Sequence, residues 1–122
     1  MKIKLKLTRD QYKGVATIAQ NCCNALAGVT FPEVQYRDAL RALILRMAAK
    51  VPTLKAKGNS LTFGELESLA LFTTVGDLVS GFQPFELSLG YWMLAEIDQQ
   101  RMQYLTLMRA NLTEQRDYYL EK

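Results

Sequence analysis

A short pattern that occurs twice, about half a chain apart, constrains this fold more than any other feature. Leu7-Thr8-Arg9-Asp10-Gln11 opens the first copy and Leu61-Thr62-Phe63-Gly64-Glu65 opens the second. Each has the Thr-x-x-Gln/Glu spacing of a helix capping box. In that motif the Thr side chain accepts from the backbone three residues on, and the Gln or Glu reaches back. Tyr12, Val15, Ala16 and Ile18 then fall with Leu66, Leu69, Ala70 and Phe72. One residue out of that register, Gly28 and Glu33 fall with Gly81 and Glu86, each pair marking a helix stop and a new start. The reading is a single domain, residues 1–122, built from two strand–helix–helix units at 2–51 and 57–112.

Local patterns fill in the first unit. Residues 2–7 alternate Lys-Ile-Lys-Leu-Lys-Leu, a half-buried strand with Ile3, Leu5 and Leu7 inward. A first helix follows from about Arg9 to Ala27, with Tyr12, Val15, Ala19, Cys22, Cys23 and Leu26 on its apolar arc and Gly28 as a left-handed stop. Thr30-Phe31-Pro32-Glu33 starts a second helix, since Pro fits the first turn and Glu suits the positive helix end. Its stripe is Tyr36, Leu40, Leu43, Ile44 and Met47. Arg37 and Arg41 flank the stripe on one side, Arg46 and Lys50 on the other. Val51-Pro52 ends it.

Residues 52–60 form the linker, and its end, Asn59 to Leu61, is expected to pair with residues 3–7. The third helix is expected from about Phe63 to Ser80, with Leu66, Leu69, Ala70, Phe72, Thr73 and Leu78 inward and a break near Gly76-Asp77. From Phe85 onward there is no strong breaker. One helix there would span about 50 Å, whereas a domain this size has a radius of gyration of about 14 Å. Its distal half carries Leu105, Met108, Leu112 and Tyr119 at 3-4-7 spacing. That stripe must be covered, either by a fold back near Asn111 or by another subunit. The expected fold is mainly α: a four-helix arrangement with a small two-stranded antiparallel ribbon.

The catalytic equipment is sparse. The chain has no His, which removes Ser-His and Cys-His nucleophile schemes and His metal sites. Cys22 and Cys23 are neighbours about 100° apart on a helix, placed as small buried hydrophobes. No Cys-x-x-Cys and no Gly-rich phosphate loop is present. The carboxylates read as solvated helix surface. Catalytic, metal and cofactor sites are therefore expected to be none, and the protein is expected not to be an enzyme. A small-molecule site, if there were one, would centre on Trp92 and Glu96, although Trp92 is expected to fill core between the last two helices. No stretch approaches the roughly 20 apolar residues of a membrane span. No apolar run behind Met1-Lys2-Ile3-Lys4 suits a signal peptide, so the expected compartment is the cytoplasm.

The net charge of +3 hides an asymmetry. Residues 1–60 hold 11 Lys/Arg against 3 Asp/Glu, while residues 61–122 hold 4 against 9. Opposite charge can draw the halves, or two subunits, together. It can also meet an anionic partner such as nucleic acid through the first half alone. Strand, helix, turn, helix over residues 2–50 resembles the order of the ribbon-helix-helix DNA binders. That resemblance implies outward lysines on a base-reading face, with the second unit supplying the other strand. The chain departs from the pattern in its long first helix and in a polar, Gly-containing second strand. Its three lysines bring charge with little base discrimination.

Two functions are expected in order. The first is a non-enzymatic interaction module, a homodimer joined through Leu105, Met108, Leu112 and Tyr119, with an unidentified protein partner as its variant. The alternative is a nucleic-acid-binding protein using Lys2, Lys4, Lys6, Arg37, Arg41, Lys55 and Lys57.

Overall fold

A computed structural model describes residues 2–26, 28 and 30–120, with side chains as far as residue 112. Its order is β1 (Lys2–Leu7), α1 (Arg9–Ala25), α2 (Phe31–Lys50), β2 (Asn59–Gly64), α3 (Glu65–Leu78) and α4 (Pro84–Leu120). The two strands form one antiparallel ribbon, with Leu5 opposite Leu61 and Ile3 opposite Phe63. The protein is mainly α with a small β ribbon.

The first capping box closes as the residues dictate. Gln11 N–H donates to Thr8 Oγ1 at 3.2 Å, and Thr8 N–H donates to Gln11 Oε1 at 3.0 Å. α1 stops at Ala25 with Leu26 extended, and Gly28 follows with a φ of 70°. The alternation of β1 places Ile3, Leu5 and Leu7 in the core. On α2, Leu40, Leu43 and Met47 are buried, with Tyr36 and Ile44 packed at their edge. A 3-10 turn at Val51–Thr53 ends that helix. Asn59 then ties off the linker: its Nδ2 donates to the carbonyls of Lys55 at 2.8 Å and Leu7 at 3.1 Å.

The second half differs from expectation at its start. β2 runs on to Gly64, so Thr62 is an exposed strand residue and Phe63 is buried against the core. The helix begins two residues later than expected. Its reach-back bond comes from Gly64 N–H to Glu67 Oε1 at 3.1 Å. The buried face of α3 keeps the expected Ala70, with Phe72 and Leu78 packed at its edge, and adds Ser68, Leu71, Thr74 and Val75, while Leu66 and Thr73 are exposed. Gly76-Asp77 does not break the helix. A 3-10 turn at Val79–Gly81 leads to α4.

α4 is one continuous helix of 37 residues with no fold back near Asn111. Leu89, Gly90, Met93 and Ile97 of its first half are buried. The core lies between the ribbon and the four helices, and Cys22 and Cys23 are free thiols within it. Burial, and secondarily the neighbouring Cys23, push the Cys22 thiol up to about 12.

Candidate interaction surfaces

α4 leaves the body near Arg101, whose guanidinium lies 5.9 Å from the centre of the Phe72 ring. Beyond it, every described side chain from Met102 to Leu112 is exposed. Six of these are large hydrophobics: Met102, Tyr104, Leu105, Leu107, Met108 and Leu112, the last at 60 % exposure. Residues 90, 93 and 97 line the core-facing arc, and steps of three and four carry that arc on through 101, 104, 105, 108 and 112. The same face that packs the core therefore continues past it, uncovered. Leu105, Met108 and Leu112, expected as oligomer contacts, lie together on this arc, and the Tyr119 side chain lies outside those described. These residues form a contiguous exposed apolar stripe on one helix, larger than singly scattered surface hydrophobics.

The outward face of the ribbon is the second surface. Lys2, Lys4 and Lys6 are exposed on β1 beside Ser60 and Thr62 of β2, and none of these five residues is acidic. Lys4 and Lys6 also line a shallow groove of about 520 Å³ with Trp92, Glu96 and Gln103 of α4. Trp92 is thus not core: it stands 36 % exposed at the groove wall, and Tyr91 beside it is more open still. The helix turns Met93 and Ile97 inward instead, which leaves Trp92 and Glu96 on the flank.

The expected basic set is divided by the fold. Arg37 and Arg41 share a different groove, between α1 and α2, with Gln20, Asn24 and Ile44. Lys55 and Lys57 are exposed in the linker, where Lys55 borders a cleft with Tyr12 and Lys50. Arg46, on the other flank of α2, makes the ion pair with Glu67 at 2.6 Å. The sequence signal for the α1–α2 groove was the pair Arg37 and Arg41 one turn apart. What was missing was the path of the chain at Gly28, which brings the end of α1 against them.

Among the described residues no group of three His, Cys, Asp or Glu could hold a metal ion. None of their helices is long and apolar enough to cross a membrane. Comparison with protein-family models, with curated proteins and with solved structures returned no match.

Proposed function

We propose that this protein is a non-enzymatic, self-associating interaction module whose second copy docks on the distal half of α4. One observation carries this reading: the core-facing arc of α4 runs on, unchanged in spacing and uncovered, through Tyr104, Leu105, Met108 and Leu112. Two further features point to a copy of the same chain as the occupant. The three-and-four spacing is that of a seam shared by two helices. From Gln99 to Leu112 the charged residues are Arg101 and Arg109, so the stripe is mostly uncharged and a strongly charged partner gains little there. The absence of His and of a phosphate loop in the sequence supports a role without catalysis.

Light scattering after size exclusion tests the proposal. The full chain is expected to run as a dimer and the Leu105→Glu variant as a folded monomer. A full chain that stays monomeric at high micromolar concentration would overturn it.

A second reading, nucleic-acid binding, is favoured by the all-basic and neutral outward face of the ribbon. Its mark would be affinity for a short DNA duplex that falls steeply with salt. Binding that survives the joint change of Lys2, Lys4 and Lys6 to Ala would exclude that face.

A further inference from the structure

We propose that the groove between α1 and α2 is a binding site for a small organic anion, one carboxylate or phosphate head on an apolar body. The groove encloses about 520 Å³. Its polar wall is Arg37 and Arg41 from α2, faced by Gln20 and Asn24 from α1. No carboxylate lines it, and neither arginine is in an ion pair among the described residues. Gln20 Nε2 donates to Asn24 Oδ1 at 2.9 Å, so the two amides hold each other and leave the arginines unclaimed.

Arg37 is set in place by packing rather than by a hydrogen-bond partner. Its Nε is buried and has no acceptor. Gly28, at a φ of 70°, makes room for its guanidinium: a Cβ at Gly28 would fall 2.1 Å from Nη1. A side chain at that position would evict the arginine. The chain thus accommodates a cation at the groove and supplies it no counter-charge. Arg37 and Arg41 lie one helical turn apart along α2, and a guanidinium's planar fork binds carboxylate or phosphate oxygens bidentately.

The rest of the lining is an apolar wall, formed by Leu26 after α1 and by Ile44 and Leu45 of α2 itself. Leu26 and Ile44 are partly buried there, and Leu45 stands at the lip, 72 % exposed. A bare inorganic ion would leave that wall unused, whereas an aryl or alkyl body would cover it. This groove is separate from the distal seam of α4 and does not depend on self-association.

The test is an NMR titration of the isotopically labelled full chain with phenyl phosphate, benzoate and inorganic phosphate. Phenyl phosphate or benzoate is expected to saturate with a dissociation constant below about 1 mM, shifting amides around Asn24 and Arg41. Whichever of the two binds tighter assigns the head group. Arg41 is exposed, so Arg41→Gln keeps the fold and is expected to weaken binding by about tenfold or more. Leu45→Ser is expected to weaken phenyl phosphate while leaving inorganic phosphate unchanged. Unsaturable shifts, shifts centred on the ribbon lysines, undiminished binding by Arg41→Gln, or inorganic phosphate binding as tightly as phenyl phosphate would each overturn the proposal.

Discussion

The side-chain amide of Gln100 makes both of the hydrogen bonds that Lys4 would offer to a neighbouring strand. Lys4 N–H donates to Oε1 at 2.9 Å and Nε2 donates to the Lys4 carbonyl at 2.9 Å. One residue of α4 thereby stands in for a third strand at the open edge of β1. Such an edge is otherwise a template for pairing with other chains. Gln100→Ala is expected to cost about 1 kcal/mol, since the freed groups can bond to water. That corresponds to a fall of about 4 °C in Tm for a domain of this size. Faster hydrogen exchange at the Lys4 amide, with the amides facing β2 unchanged, is the specific readout.

Two glycines within helices should respond in opposite directions to alanine. Gly76 in α3 has nothing within 4 Å of where a Cβ would sit. Gly76→Ala is expected to stabilise by about 0.5–1 kcal/mol through helix propensity and a less flexible unfolded chain. Gly14 is where α1 approaches α4, and a Cβ there would lie 2.6 Å from Leu89 Cδ2 and 2.8 Å from Phe85 Cε1. Phe85 is half exposed and can swing aside, but Leu89 is buried. Overpacking of about 1–3 kcal/mol therefore outweighs the propensity gain, and Gly14→Ala is expected to destabilise. Urea midpoints of the two variants, measured side by side, check both signs.

Arg46 and Glu67 join α2 to the start of α3 by two hydrogen bonds, at 2.6 and 3.1 Å. Glu67 also accepts from Gly64 N–H, and Arg46 also donates to the Thr62 carbonyl at 3.2 Å. Arg46 is half exposed, so the ion pair alone contributes no more than about 1 kcal/mol. Glu67 has the additional capping role at a helix N-terminus. Glu67→Ala is expected to cost about 1–2 kcal/mol, more than Arg46→Ala. A double-mutant cycle separates the shared part from the cap.

Cys22 sets a limit on alkaline stability. Its thiol is held at about 12 in the fold, against 9.0 when free, by burial first and by Cys23 second. A raised pKa means the folded chain keeps a proton that the unfolded chain releases. Stability is therefore flat below pH 9 and falls above it, by at most about 1.4 kcal/mol per pH unit from this group. Burial also raises Tyr12 from 10.0 and adds to the same arm at higher pH. Cys22→Ala is expected to flatten the decline between pH 9 and 10 in denaturation series. In the wild-type chain a thiol reagent at neutral pH should modify Cys22 only as fast as the fold opens.

Much of this architecture was legible because particular residues speak locally. The Lys-Ile-Lys-Leu-Lys-Leu run fixes a strand and its inward face, and Thr8 with Gln11 fixes the helix that follows. The start of α3 was misplaced for an equally local reason. Thr62 and Glu65 have the right spacing for a capping box, while the actual cap, Gly64, has no side chain to advertise the role. With the helix starting at Glu65, Leu66 faces outward and Leu71 and Val75 take the core. Trp92 lies on the surface although an aromatic cluster looks like core when only composition is visible. The α1–α2 groove depends on the chain turning at Gly28, which no periodicity encodes.

The distal stripe of α4 gives the sharpest division between body and seam. Met93 and Ile97 are buried and anchor the first half of the helix, so charge placed beyond Arg101 leaves the body folded. Leu105→Glu combined with Met108→Glu is expected to abolish self-association while changing the monomer's own stability by less than about 0.5 kcal/mol, as exposed positions do. If the chain dimerises as proposed, its Tm is expected to rise with protein concentration, and in the double variant that dependence should vanish. Salt is the second axis. With only Arg101 and Arg109 charged between Gln99 and Leu112, the seam is expected to hold at high ionic strength at least as well as at low. Dimerisation that weakens steeply with salt would locate the contact on the lysine face of the ribbon instead.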